Sequence, residues 1–337
     1  MVSSPFFYAL IFLVFLAGCL FSWRRGHVES KIVIGCGLFP DAVPLMLAAK
    51  YGFFGEVPVE VRIINWSRYL DFIAHRNCDI IFAPKRVVSE LVARRQQIDL
   101  SIDELVFYRG FTLLCRQQAG FKTFADNLSE LSPSPGSKIQ ALQMTLEQLI
   151  GKTVLCVSDD AREVLEYLKR AYGMEFTVRK ASNPEKDFRE FLGSSTYCDA
   201  FVGGVTHLLI GKKLGLKTLV GENDVSLRSM EAIVFVGQGV NSMTMVKLVN
   251  AWYTAVNMIR DDDMFRREYI SALNYYITPF YQDLFAGENG GKPVDLFDED
   301  DFVEIWRNLE IFPKDPIDAK RFMQDNRAHF ISEDLAL

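Results

Sequence analysis

KIVIGCGLFPDAVPLMLAAKYGFF, residues Lys31 to Phe54, is the stretch whose reading decides the fold class. Lys31-Ile32-Val33-Ile34 is a β-branched apolar run of strand length. Leu38, Phe39, Pro40 and Asp41 make a short crossing, and Asp41 has the side chain of a helix N-cap. Pro44 falls in the first helical turn, where a missing N–H costs little, and Gly52 supplies the stop. The order is therefore strand, loop, helix N-terminus. In open α/β sheets, loops at the carboxyl ends of strands are where ligands sit.

Outward from that stretch the alternation continues. Strands are predicted at 31–36, 59–65 and 78–83, and helices at 41–53, 67–76 and 86–97. Leu105 to Arg116 reads as one long apolar strand that leaves this first unit. Residues 117–145 break the pattern. The run from Asn127 to Ser137 is rich in Ser, Pro and Gly and reads as part of an exposed loop insertion. Alternation then resumes, with strands at 153–157, 176–179 and 198–202 and helices at 161–172 and 185–192. The strand Cys198-Asp-Ala-Phe-Val202 ends at Gly203-Gly204 and parallels Cys78-Asp-Ile-Ile-Phe82. Glu231 to Gly237 reads as a strand returning to the first unit, so strands around 107–114 and 231–237 make a two-strand hinge. In Met245 to Ile259, Met245, Leu248, Val249, Trp252, Val256 and Ile259 recur at helical spacing and read as a core stripe. Asp298 to Asp301 favour a helix N-terminus, and the helices near the C-terminus are expected to pack on the first unit.

Composition narrows the function classes. The chain has 337 residues and a formal charge of −6, with no long basic tract. That argues against nucleic acid as a partner, since phosphate binding needs concentrated positive charge. Six cysteines, Cys19, Cys36, Cys78, Cys115, Cys156 and Cys198, form no C-x-x-C pair, and the default for those after Cys19 is a small buried hydrophobe. The four histidines are scattered, without metal-ligand spacing. Gly35-Cys36-Gly37 fails as a dinucleotide fingerprint, because Pro40 stands where the third glycine belongs. No Walker A sequence and no G-x-S-x-G occur. These observations point away from catalysis, and no cofactor is implied.

The first residues bear on compartment. Phe6 to Trp23 is apolar or aromatic apart from small residues and a cysteine. Leu16-Ala17-Gly18-Cys19 resembles a lipobox, with Cys19 as the residue to be lipidated. An uncleaved membrane anchor is the alternative, because the run is about long enough to span. Met1 to Pro5 carries no basic residue, whereas Arg24-Arg25 follows the run, which fits the anchor better. The lipobox reading is preferred, and the alternative stays open.

Several of these stretches together carry a family resemblance. The first strand, the proline-bearing helix and Ala49-Lys50-Tyr51-Gly52-Phe53-Phe54 are similar to the solute-binding proteins of ABC importers. The match is to the subfamily with nitrate-, sulfonate-, taurine- and thiamine-precursor-binding members. Arg76-Asn77-Cys78-Asp79-Ile80-Ile81 stands at the family's third strand but lacks its usual glycine. Leu149-Ile150-Gly151-Lys152-Thr153-Val154 is similar to the motif that opens the second lobe. The resemblance runs over most of residues 31 to about 260.

The resemblance implies an α/β, two-lobe periplasmic-binding-protein fold of type II, each lobe a mixed sheet flanked by helices. On that frame residues 1–30 are a lipoprotein signal or membrane anchor and tether. Residues 31–113 plus 236–337 form lobe 1, and 114–235, with the insertion at 117–145, form lobe 2. A small molecule would bind between the lobes. The candidate contacts are Phe39, Pro40, Asp41, Trp66, Ser67 and Lys85 on lobe 1, with Ser158, Asp159, Asp160, Gly203 and Gly204 on lobe 2. Each has a plainer reading. Asp41 could only cap its helix, Asp160 with Glu163 could form a capping box, and Trp66 could be core. Asp159-Asp160 would repel an oxyanion, so the expected ligand carries an amine or ring nitrogen. The implied partners are that small molecule, an ABC permease, and a membrane held through a lipid anchor or N-terminal helix. A membrane-tethered sensor or assembly protein on the same fold, and a small-molecule enzyme on the same fold, are the alternatives.

Overall fold

The structure is a computed structural model, and it describes residues 31–37, 39–64, 77–84, 100–109, 111–194, 196–221, 224, 230–237, 240, 242–285, 294–307 and 309–311. The expected helices at 67–76 and 86–97, the leader with Cys19, and Trp66, Ser67 and Lys85 lie outside the described residues. No described helix is long and apolar enough to cross a membrane.

Two mixed sheets, each flanked by helices, make the two lobes. The first contains β1 (Ile32–Cys36), β2 (Val59–Ile63), β3 (Ile80–Pro84), β4 (Leu100–Arg109), β10 (Met230–Gly237) and β11 (Leu309–Ile311). Its order is β11-β4-β10-β3-β1-β2. β1 runs parallel to β2 and β3, while β10 is antiparallel to both β3 and β4. The second contains β5 (Thr112–Cys115), β6 (Thr153–Cys156), β7 (Thr177–Lys180), β8 (Ala200–Gly203) and β9 (Lys217–Gly221), in the order β7-β6-β8-β5-β9. β6 is parallel to β7 and β8, and β5 is antiparallel to β8 and β9.

The paired Cys-Asp sequences have a structural counterpart. Asp79 Oδ2 accepts a hydrogen bond from Val33 N at 2.8 Å, and Asp79 N donates to Val33 O at 2.9 Å. In the second lobe Asp199 Oδ2 accepts from Thr153 N at 2.8 Å, and Asp199 N donates to Thr153 O at 2.8 Å. A backbone N–H at the start of a strand needs an acceptor, and in both lobes a carboxylate supplies one. The same pin sets the register of the opening strand against its parallel neighbour in each lobe.

The apolar runs form the cores. Ile34, Cys36, Ile80 and Phe82 are buried in the first lobe, and Leu155, Phe201 and Leu114 lie on one face of the second sheet. The other face of the second sheet is covered by α2 (Phe124–Ser129), α3 (Ser137–Glu147) and α4 (Asp159–Tyr172). α5 (Pro184–Gly193) and α6 (Val205–Lys213) pack on the first face. α1 (Val43–Lys50) packs against α7 (Ser242–Asp261) and α8 (Asp263–Tyr281). The expected stripe of Met245, Leu248, Val249, Trp252, Val256 and Ile259 on α7 is buried throughout. Gly52, at φ +70°, sits just beyond α1 in the left-handed conformation a helix stop requires.

Four local expectations are corrected. First, residues 117–145 are not a loop insertion. Thr123 and Asp126 form a capping box that opens α2, and Phe124, Ala141, Leu142 and Leu146 are core residues. Inside this layer Asn127 donates to Thr145 Oγ1 at 2.9 Å, both residues being buried. The Ser-Pro-Gly cluster is only the turn between two packed helices, tightened by Ser137 Oγ donating to Ser132 O at 2.7 Å. Second, the long strand expected over 105–116 is two strands in different sheets, β4 and β5. The chain changes sheet between Arg109 and Thr112 and again between Gly221 and Met230, against the expected 113/114 and 235/236. Third, α6 and β9 complete the second lobe in a stretch where no elements were expected. Fourth, the C-terminal helices do not pack on the first lobe alone: α9 (Glu299–Arg307) also touches α6 of the second lobe.

Candidate functional site

Topology dictates where a site can form. β4 runs in the same direction as β3 and β1, since both neighbour β10 antiparallel. β4 therefore ends, at Arg109, on the carboxyl edge of the first sheet. Only residues 110 and 111 intervene before β5 begins at Thr112, which pairs with Gly203 at the carboxyl end of β8. The return crossing repeats this. Gly221, at the end of β9, also pairs with Thr112, and Met230, at the start of β10, pairs with Arg109. Both crossings join the carboxyl edges of the two sheets, so the loops at those edges are brought towards each other.

On the first edge, β1 runs into Phe39, Pro40 and Asp41. This turn is bolted to the helices beneath it. Tyr269 Oη donates to Pro40 O at 3.0 Å, and Trp252 Nε1 donates to Asp41 O at 3.4 Å. Pro40 opens a 3₁₀ turn, Pro40–Ala42, which leads into α1. Asp41 is not the N-cap of that helix: Ala42 holds the position, with no side-chain cap. Instead the Asp41 carboxyl is buried, 5% exposed, and is held by its own backbone N–H. Burial pushes its pKa up to about 7, against a smaller lowering by that backbone bond. Phe39 is half-buried beside it.

On the second edge, Ser158 caps α4 by accepting from Ala161 N at 3.1 Å. The capping box expected from Asp160 and Glu163 is therefore absent, because the helix begins two residues earlier than expected. Asp160 lies in the first turn, and its side chain is outside what the structure describes. Asp159 is paired with both Lys180 and Arg162. Its charge is balanced, which removes the argument that Asp159 by itself repels anions. Asp41, by contrast, has no cation partner among the described residues.

Gly203 and Gly204 close β8 and open α6, with Gly204 at the N-cap position. Gly203 is a close-approach position. A Cβ there would lie 2.7 Å from Cβ and Cγ of His207 and 2.8 Å from its Nδ1. His207 is the residue that sequence reasoning passed over as one of four scattered histidines. Its ring lies 5.0 Å from that of Phe188 and 5.3 Å from that of Phe201. Although the residue keeps some exposed surface, both ring nitrogens are buried with no hydrogen-bond partner. Burial alone pulls its pKa down to about 4, so the imidazole is neutral at neutral pH. Gly-Gly followed by a histidine three residues on was the only signal in the sequence, and it marks the place without revealing the packing.

The five cysteines after Cys19 are all free and buried. Cys36 faces Phe82 in the β1–β3 register, which places Cys78 four residues from the paired position. Among the described residues no three His, Cys, Asp or Glu side chains are placed to hold a metal ion.

No family model and no curated protein matches the chain. Solved structures do. The ligand-binding component of an ABC-type import system from Staphylococcus aureus, with zinc bound, is 13% identical over 89% of this chain and 92% of its own, with a TM-score of 0.57. The periplasmic nitrate-binding protein of Synechocystis PCC 6803 is 15% identical over 73% and 66%, at 0.54. The periplasmic aliphatic sulphonate-binding protein of Escherichia coli is 13% identical over 90% and 93%, at 0.53. The chain therefore has the two-lobe fold of these binding proteins, with helices on both sheets.

Proposed function

We propose that this chain is an extracytoplasmic solute-binding protein that holds a small molecule between its two lobes and passes it to an ABC permease. The observation that supports this best is that both crossings join the carboxyl edges of the two sheets, the edges at which open α/β sheets carry their ligands. The first lobe offers Phe39, Pro40 and Asp41, and the second offers the capped N-terminus at Ser158 and the small residues Gly203 and Gly204. Trp66, Ser67 and Lys85, which follow β2 and β3 in the sequence, complete the proposed set. The reading includes no catalytic step. Attachment to the membrane is through a lipid on Cys19 or through an N-terminal helix.

The ligand in this reading carries an amine or a ring nitrogen. Its support has moved from Asp159, which is ion-paired, to Asp41, which is buried without a cation. A buried carboxyl gains most from a positive partner, since the partner offsets the desolvation that keeps it protonated. Native mass spectrometry of the full chain, purified in mild detergent from its own host, tests the proposal. A small basic mass lost on denaturation is the expected result. Tight retention of simple oxyanions overturns the ligand class. An empty chain that no metabolite pool shifts overturns the transport role in favour of a tethered sensor or assembly protein.

A further inference from the structure

The segment from α8 to β11 leaves the first lobe, touches the second and returns. Its first half belongs to the first lobe: Lys50 pairs with Glu268, and the rings of Tyr51 and Phe265 lie 4.7 Å apart. Its end does too, because β11 pairs with β4, Leu309 opposite Tyr108. Between these anchors it meets α5 and α6 of the second lobe. Tyr281 stands edge-on to Phe188 at 6.0 Å, and Arg189 pairs with Asp283. Further on, Lys213 reaches Asp301 at 2.8 Å and Asp298 at 3.5 Å, and Lys212 reaches Glu304 at 3.9 Å. The intervening turn is tied back to α8 by Asn274, which donates to Phe297 O at 2.8 Å and accepts from Phe297 N at 2.9 Å.

We propose that this segment is a strap that holds the second lobe at the separation seen here. The two covalent crossings act as a hinge, and a hinge alone leaves rotation free. The strap adds a third contact that is covalent to the first lobe at both ends and non-covalent to the second. Any rotation of the lobes must therefore break or slide the contacts at Arg189, Lys212 and Lys213. The ion pairs are mostly half-exposed at the cation, so their share of the hold is weak and sensitive to salt, beside an apolar contact in which Tyr281, Phe285 and Ile305 share a buried cluster with Phe188 and Leu209. Lys213 with Asp301 is the strongest point, because the Asp301 side chain is only 10% exposed. The inference rests on the two-lobe fold and not on the identity or presence of a ligand.

The test is an inter-lobe distance measured on the full chain in detergent, without ligand. Spin labels go on Glu56→Cys in the first lobe and Lys138→Cys in the second, both exposed positions, with Cys19→Ser in the background. The five other native cysteines are buried. The unaltered strap is expected to give one dominant distance. The triple variant Arg189→Ala, Lys212→Ala, Lys213→Ala is expected to raise the population at a second distance by about threefold or more. Raising salt from about 0.05 M to about 1 M should move the unaltered protein the same way, which keeps the test decisive if the triple variant does not fold. Superimposable distributions, in the variant or across that salt range, overturn the proposal.

Discussion

Two buried titratable side chains, Asp41 and His207, should act on stability with opposite signs over the same pH range. His207 has its folded-state pKa lowered from 6.5 to about 4 by burial. As pH falls below 6.5 the unfolded chain takes up a proton that the folded chain refuses, so folding weakens until the folded pKa is reached. The shift corresponds to about 3 kcal/mol lost between pH 6.5 and 4. Asp41 has its folded pKa raised from 3.8 to about 7. Here the folded chain keeps a proton that the unfolded chain releases, so stability is present at low pH and is lost as pH rises to 7. That loss is about 4 kcal/mol. Between pH 4 and 6.5 the two slopes cancel. Replacing one residue should therefore expose the other. In Asp41→Asn, stability relative to the unaltered protein should rise by about 4 kcal/mol from pH 4 to 7, because the Asp41 contribution is gone. In His207→Leu the same difference should fall by about 3 kcal/mol from pH 4 to 6.5. Denaturant unfolding followed by circular dichroism at half-unit pH steps measures this, and differences between variant and parent cancel the surface carboxylates. If parent and variant profiles run parallel, the two groups are not buried as described and the reasoning fails.

The remaining predictions rest on packing. Gly203→Ala should destabilise by about 1–3 kcal/mol, because its Cβ would meet the His207 side chain well inside contact distance and that ring is enclosed by Phe188 and Phe201. A midpoint unchanged in thermal unfolding would show that the helix can shift. Thiol reagents at pH 8 should label none of Cys36, Cys78, Cys115, Cys156 and Cys198 in the native protein and all five in denaturant. Burial pushes these thiols up to about 12, 11, 11, 11 and 12 respectively, so native thiolate is scarce. Labelling of any one at the rate of a free thiol would contradict its placement.

The elements legible in the sequence were those whose pattern is local. β1, β3, β6 and β8 are short apolar runs closed by turn residues, and the stripe on α7 repeats at helical spacing, so each announces itself. The Cys-Asp pair at the start of β3 and β8 was visible as a repeat, but its cause was not. That cause is a carboxylate reaching an N–H 46 positions away in sequence. The helices over 124–147 were hidden by composition, because a turn rich in Ser, Pro and Gly dominates the window while the core residues of α2 and α3 flank it. The break between β4 and β5 left no apolar gap, since Phe111 is itself buried. At the site, Ser158 and Gly203 could be placed from strand ends. The balance of charge at Asp159 could not, because Lys180 comes from the next strand. Nor could the confinement of Asp41, which depends on rings from α7 and α8 more than 200 positions away.

The pairing of β4 with β10 also constrains the order in which the chain can assemble. Arg109 sits opposite Met230, so the whole second lobe is a detour between two strands that are neighbours in the first sheet. Closing that ladder across an unstructured loop carries an entropic cost, and it falls once the intervening stretch has collapsed and its ends lie close together. The second lobe holds all its strands between Thr112 and Gly221, and it can form as soon as those residues leave the ribosome. The first sheet must wait for β10 to join β3 to β4, and for β11, at residues 309–311, to cover the outer edge of β4. Synthesis therefore begins with the first lobe, and its sheet can be completed only after the inserted lobe has been made.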